Sequence, residues 1–439
     1  MARNRRDVIV TLLCGLIATC VQDTHSFDVI STKLRLSLTI GAESRSIQVS
    51  WTGGLQPEQN DKILLWRSDP EEYHPDENPL LEIEPDSGDG WVNTDIKYDP
   101  IWARNSTGCY AIWAVYLTGS GRVIGNTCLS TYPTWMHDLR QYIGNRRLSE
   151  LFIPGTHDSG ACSDGKRNTY VTKYTVTQDE SITSQLEHGI RYLDIRVGFY
   201  KGTRWPISVF NRLRNKESRP DEFWVNHGPA KMQPLEGVLK EINSFVERTN
   251  EIIIVDIQEF PVGFENDDMT SHAALLDFLL EHLGNNMAPP SLTWGATLKD
   301  IWRVGKRIIV AYDHERTART IGRDFVWQAV EQHWGNVKDV GALKTHLLRT
   351  PELREDPIAH NFRPVASMAE LTPDIWDILY DRFKGLRRMA DNVNRYITKW
   401  YSEELGHSAN IVALDFFRGT DIVELAIDKN KERAYEEAC

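Results

Sequence analysis

The sequence predicts an α/β protein, a TIM-like (β/α) barrel preceded by an all-β, sandwich-like domain. Three observations predict it. Short alternating strands fill residues 27–132, strand and helix patterns take turns through 135–439, and the segments carrying reactive side chains fall at strand ends.

In the first region Leu34, Leu36, Leu38 and Ile40 alternate with polar residues, the pattern of a half-buried strand, and Ile47-Gln48-Val49-Ser50-Trp51 repeats it. Ile63-Leu64-Leu65-Trp66 follows a turn-rich stretch. Residues 110–117 and 122–126 then flank Thr118-Gly119-Ser120-Gly121 and read as a hairpin that places Cys109 and Cys128 across from each other. Short strands punctuated by Gly, Pro and Asp suggest a sandwich of roughly 100 residues.

From Trp135 the period changes. Leu151-Phe152-Ile153 is a short apolar run ending in Pro154-Gly155; residues 190–197 and Phe223-Trp224-Val225 give a second and a third strand. Residues 252–257 form a continuous apolar run, as a parallel strand buried on both faces would. Residues 307–312 and 411–417 supply a fifth and a last strand. Amphipathic stretches lie between them. The clearest is 234–248, with Leu235, Val238, Leu239, Ile242, Phe245 and Val246 at helical spacing and Pro234 suited to a first turn; 179–188 and 273–283 are others. No comparable run marks strands between Tyr312 and Ile411, so a distorted or incomplete barrel is allowed.

Composition narrows the partners. The 439 residues are 41% hydrophobic and carry a formal net charge of −12, which leaves no basic stripe for nucleic acid and disfavours strong attraction to anionic membranes. Any membrane contact is expected to be transient and local, through a few loop side chains. Arg3, Arg5 and Arg6 followed by the charge-free apolar run 8–20 match a signal peptide, residues 1–20, and imply a secreted, extracellular protein. Of six cysteines, Cys14 and Cys20 leave with it; no Cys/His metal spacing appears, and Cys109–Cys128 is the expected disulfide. Nothing in the sequence supports pairing Cys162 with Cys439. Asn105-Ser106-Thr107 is a glycosylation sequon.

Three segments carry chemistry. His157 follows a Pro-Gly turn at a strand end; Asp194 and Arg196, two apart on one strand, point to one side; His227 stands at the next strand end before Gly228. Two histidines and an arginine suit phosphodiester cleavage: one neutral imidazole takes a proton, one protonated imidazole gives one, and a guanidinium neutralises phosphate oxygens. Each histidine needs a carboxylate to fix its tautomer, with Asp158, Asp194 and Asp415 as candidates. Tyr312 and Asp313, with Gln258 and Glu259, end two further strands and are candidates for binding a headgroup. Structural roles also account for residues of these types: a strand-end histidine often makes only one backbone hydrogen bond, and Asp194–Arg196 could be a plain ion pair.

Residues 151–159, with Gly155-Thr156-His157-Asp158-Ser159, then Gly189-Ile190-Arg191-Tyr192-Leu193-Asp194-Ile195-Arg196, then Trp224-Val225-Asn226-His227-Gly228, resemble the X domain of phosphatidylinositol-specific phospholipase C. The likeness is to the animal X-domain-only proteins and the metal-independent bacterial enzymes, and 411–417 resembles that family's closing strand. The resemblance implies a metal-independent phosphoric diester hydrolase without cofactor. His157 would be general base, His227 general acid, Asp194 and Arg196 the acid–arginine pair, with Asp158 supporting His227 and Asp415 supporting His157. Calcium-dependent members carry a carboxylate at the place of Arg196, an asparagine at that of Asp158 and a glutamate near Gln258, and this chain departs from all three. A non-catalytic binder of phospholipid or glycan headgroups, or a metal-dependent sphingomyelinase D-like or glycerophosphodiesterase enzyme, are the rival readings; the intact histidine pair speaks against the first and Arg196 against the second.

Overall fold

A computed structural model describes residues 34–53, 56–70, 78–100, 108–162, 172–202, 220–264, 269–351 and 362–436. The signal-peptide stretch, Asn105 and Cys439 lie outside the described residues. The first region forms two antiparallel sheets. One holds β1 (Arg35–Ile40), β2 (Ser46–Thr52) and β5 (Gly90–Lys97); the other holds β3 (Lys62–Trp66), β4 (Leu81–Ile83), β6 (Cys109–Leu117) and β7 (Val123–Ser130). The residues that alternate in sequence, Leu36, Leu38, Ile40, Ile47, Val49, Ile63 and Leu65, meet in one core between the sheets. A Cys109–Cys128 disulfide closes the β6–β7 hairpin, and Cys162 Sγ accepts a hydrogen bond from Gln233 Nε2 at 3.2 Å.

The second region is a ring of parallel strands. β8 (Ile153–Thr156) pairs with β9 (Tyr192–Tyr200), β9 with β12 (Ile253–Val262), and β12 with β13 (Ile308–Tyr312). In the other direction β8 pairs with β17 (Ile411–Leu414) and β17 with β16 (Val365–Met368). The gap is filled by one stretch of chain. Its start, β14 (Trp327–Gln328), pairs with β13, and its end, β15 (Glu331–Trp334), pairs with β16. The ring therefore closes through backbone continuity across Ala329 and Val330. Ile253, Ile254, Val255 and Ile257 on β12 are buried, because α1 (Leu235–Arg248) and α2 (Met269–Leu283) cover the outside of this arc. The apolar stripe of α1 is the one the helical spacing marks, with Pro234 one residue ahead of the helix as its N-cap.

One expected barrel strand is not a barrel strand. β10 (Glu222–His227) runs antiparallel to β9 and forms a hairpin with β11 (Ala230–Pro234). The cause is the length of β9. Its nine residues run past the end of the four-residue β8, which pairs only with Tyr192 and Leu193, and the edge beyond takes β10 as an antiparallel partner, from Glu222 opposite Tyr200 back to Val225 opposite Val197.

Candidate active site

The parallel strands end on one side of the ring, and the reactive residues follow them. His157 comes after β8 and Asp415 after β17, and these two strands are hydrogen-bonded neighbours. Both turns are tight: Asp158 has φ 34° and Phe416 φ 47°, the left-handed region that an aspartate tolerates better than a phenylalanine. Antiparallel β10 returns His227 to the level of Arg196, so a non-barrel strand still delivers it.

His157 Nδ1 lies 2.8 Å from Asp415 Oδ1, and Arg196 donates to His157 Nε2 at 2.8 Å. A guanidinium has only donors, so Nε2 must hold the lone pair and Nδ1 the hydrogen given to Asp415. Geometry therefore sets the tautomer. His157 is a neutral imidazole with its basic nitrogen facing Arg196. The His227 ring stands 5.8 Å from that of His157, centroid to centroid, and its Nδ1 is 3.1 Å from the Thr175 carbonyl. This carbonyl can only accept, which leaves His227 Nε2 as the nitrogen able to exchange a proton with a ligand.

Arg196 is the charge centre. It lies 3.7 Å from Asp194, 3.4 Å from Glu259 and 4.0 Å from Asp158. Burial works against its charge, but Asp194, Asp158 and Glu259 more than offset that and hold the guanidinium above its ordinary value. The imidazoles go the other way. Burial first, then the Arg196 charge, lowers His157 to about 3; burial, His157 and Arg196 lower His227 to about 3. Burial raises Asp415 to about 7 and pushes Asp158 and Glu370 well above the carboxylate range. The carboxylate oxygens of Asp158 and Glu370 accept no hydrogen bond, so ionising either would leave a buried charge without a donor.

Several expectations need correction. Asp158 does not support His227: its backbone N–H donates to Asp194 Oδ2 at 2.9 Å and its carboxyl faces Arg196, while His227 relies on Thr175. Gln258 is spent on structure, donating to Asp256 Oδ2 at 2.6 Å and the Val330 carbonyl at 3.0 Å. Tyr312 is buried, with its hydroxyl 2.7 Å from His272 Nδ1. Tyr312 and Asp313 instead line a cavity of about 400 Å³ with Gln328 and Arg363, whose walls include none of the residues around His157. Of the four headgroup candidates only Glu259 reaches the site.

Two site residues carry no signal in the sequence. Trp334 sets its ring edge-to-face with His157 at 5.2 Å, with the Arg196 guanidinium 5.3 Å from its centroid. Glu370 follows β16 and acts electrostatically on Asp415 and Arg196. Both belong to the short strands the apolar pattern does not reveal; β15 reads Glu-Gln-His-Trp and is only half-buried. Arg191, inside the Gly-Ile-Arg-Tyr segment, plays no part here. It is fully buried and paired with Glu251 at 2.7 Å, tying residues 132–137 to the barrel. Among the described residues no group of three or more His, Cys, Asp or Glu side chains is arranged to hold a metal ion.

No family model matches the chain. Sequence comparison finds PI-PLC X domain-containing protein 1 of Danio rerio, 23% identical over 333 residues, 69% of this chain and 98% of that protein. It also finds PI-PLC X domain-containing protein 2 of Homo sapiens, 26% identical over 60% of this chain and 85% of that protein. The chain is a relative of the PI-PLC X domain-containing proteins. The protein 3 relative of Mus musculus, 26% identical, is covered to 94% by 68% of this chain. The chain thus covers 85–98% of the length of these three relatives. Among solved structures, phosphatidylinositol-specific phospholipase C from Listeria monocytogenes is similar at 22% identity and a TM-score of 0.47, over 69% of this chain and 99% of that one. The Staphylococcus aureus enzyme is similar at 18% identity and a TM-score of 0.48, over 68% and 97%.

Proposed function

We propose that this X-domain relative is a secreted phosphodiesterase that cleaves phosphatidylinositol, or a closely related phospholipid, by histidine acid–base catalysis. The observation that carries the reading is the bonding of His157. One ring nitrogen is held by Asp415, and the other offers its lone pair to Arg196, 5.8 Å from a second imidazole. In the resting site Arg196 caps the base. An arriving phosphate draws the guanidinium onto its oxygens and uncovers Nε2.

The headgroup's 2-hydroxyl then gives its proton to His157 Nε2 and its oxygen bonds to phosphorus. The bond from phosphorus to the diacylglycerol oxygen breaks, and that oxygen takes a proton from His227. The products are a cyclic inositol phosphate and diacylglycerol. His227 must be protonated for this, and the empty site opposes it. The phosphodiester charge, together with the engagement of Arg196, removes part of that opposition.

Membrane contact fits the exposed segment beside the site. Ile375, Trp376, Leu379 and Tyr380 are 57–69% exposed on and just after the short helix Ile375–Leu379, which follows β16 and Glu370. Secretion rests on residues 3–20 and on the Cys109–Cys128 disulfide, a bond suited to an oxidising compartment. The test is turnover on phosphatidylinositol and sphingomyelin vesicles side by side, with and without chelator. Cyclic inositol phosphate released from phosphatidylinositol in chelator is the expected result. Cleavage of sphingomyelin alone, activity restored only by a metal, or no product at all would overturn the reading.

A further inference from the structure

Beside the bonds of Arg35 and Ser37 to Asp421, the β-sandwich grips the barrel through the turn of residues 41–45 between β1 and β2. The Ala42 and Glu43 N–H groups donate to the two carboxylate oxygens of Asp391 at 2.6 and 3.0 Å. Ala42 itself is buried in the barrel's core cluster. Arg45, at φ 53°, extends one nitrogen to Asp179 at 2.7 Å and the other to Glu180 at 3.0 Å. Arg387 bonds the Ala42 carbonyl at 3.0 Å and Asp179 at 2.7 Å. The turn thus grips two barrel segments, 177–180 and the helix Leu386–Trp400.

Those are the segments that hold the backbone of His157 and Asp415. Gln178, fully buried, donates from Nε2 to the His157 carbonyl at 3.1 Å and to the Leu414 carbonyl at 2.7 Å. The Thr177 hydroxyl donates to the Asp158 carbonyl at 2.8 Å, and the Thr177 carbonyl accepts from Phe416 N–H at 2.8 Å. From the helix, Asn394 Nδ2 donates to the carbonyls of Asp415 at 3.0 Å and Phe416 at 3.1 Å.

We infer that Arg45 is a positioning residue for the His157–Asp415 pair, and that the sandwich serves to clamp the catalytic centre. The chemistry favours this over a mere domain tie. The two left-handed turns after β8 and β17 strain the backbone where His157 and Asp415 must stay 2.8 Å apart, and that strain persists only if neighbours over-determine it. Asp179 and Glu180, nearly buried, need the arginine charges to remain where they are.

The inference rests on the phosphodiesterase reading for its kinetic arm but not for its structural one. The variants are Arg45→Met, which keeps the side-chain stem and drops the charge, Arg45→Lys, and Lys399→Met as control. Lys399 stands one residue from the end of that same helix, Leu386–Trp400, five residues past Asn394, and makes a separate tie to the sandwich, 2.6 Å from Asp89, without bonding the 41–45 turn or residues 177–180. Arg45→Met should lower kcat by at least about tenfold with KM within twofold, since sub-ångström misplacement of a catalytic base is costly. The acid limb of its pH profile should move, Arg45→Lys should recover part of the loss, and Lys399→Met should keep wild-type kcat. Independently of activity, the His157 Nδ1 proton followed by NMR should lose exchange protection in Arg45→Met and retain it in Lys399→Met. A wild type with no turnover would sink the reading of function alone, and the proton measurement would still decide the clamp. If Arg45→Met does not fold, Asp179→Asn, which removes the charge both arginines hold, should show the same signature. Wild-type kcat and an unchanged ring proton in a folded Arg45 or Asp179 variant, whatever its melting temperature, would overturn the inference.

Discussion

On the proposed mechanism, His157→Ala and His227→Ala remove different halves of one proton transfer. Both are expected to abolish turnover on phosphatidylinositol and keep the fold, because neither imidazole packs between barrel and helices. An analogue with an activated leaving group needs little acid help, so it should rescue His227→Ala far more than His157→Ala; kcat on the two substrates checks this, and equal rescue would refute the roles. Arg196→Lys keeps the charge and loses the fork. The guanidinium lies 2.8 Å from His157 Nε2 with Asp194 and Glu259 within 3.7 Å, and a lysine there would fall into a single ion pair. We expect kcat lower by roughly 10²–10³, KM much less affected, and no cost in melting temperature; near-wild-type kcat would reduce Arg196 to a brace for Asp194. At this scale the sequence was informative where a residue stands beside a strand end and poor where its partner is remote. That Asp158 points to Arg196 and not to His227 depends on the φ of 34° that turns its carboxyl inward.

Among the elements, apolar runs made β8, β9, β12, β13 and α1 legible, because each is buried along its length or along one stripe. The stretches β14, β15 and β16 are two to four residues long, and their burial comes from the neighbours they slot between. Trp334 and Glu370 went unseen with them. The reversal of β10 was not legible either, since β9 runs on to Tyr200, three residues past the end of the 190–197 run that the sequence marks, and it is this extension that β10 pairs with. The helix Ile375–Leu379 has a surface logic of its own. It is anchored by Lys338 to Asp374 and Asp377 on one side, and past it Asp381 accepts from Lys173 and the Tyr174 hydroxyl, next to the Thr175 carbonyl that holds His227. None of these bonds is made by the side chains of Ile375, Trp376, Leu379 or Tyr380. Trp376→Ala with Leu379→Ala should therefore weaken sedimentation with zwitterionic vesicles by about tenfold or more, given roughly 1.5–3 kcal/mol for each large apolar side chain moved out of water. kcat on a soluble monomeric substrate should stay at the wild-type value. Unchanged vesicle binding would remove this helix from the membrane contact.

For the molecule as a whole, the buried site sets opposing pH dependences of stability. His157 and His227 have folded values near 3 against an unfolded value of about 6.5, so the stability they contribute is complete above that unfolded value and is lost as pH falls toward 3. Asp158 and Glu370 are raised by burial. The folded protein keeps their protons after the unfolded chain has released them, so their contribution is complete below about 4 and is lost as pH rises. Between pH 4 and 6.5 the two sets offset each other, and the wild-type melting temperature should change little on their account. Asp158→Asn with Glu370→Gln removes one side. Neither carboxyl oxygen accepts a hydrogen bond that an amide would forfeit, and asparagine tolerates the left-handed backbone at 158. The double variant should melt higher than wild type, with a gap that widens from pH 4 to pH 8. The widening is at most about 1.4 kcal/mol per pH unit for each group, for as long as the folded protein holds the proton. Calorimetry of both proteins across that range checks it. A gap that stays constant would show that the two carboxyls titrate normally, and a gap that reverses would show that the folded protein ionises them with partners, against the burial that isolates them.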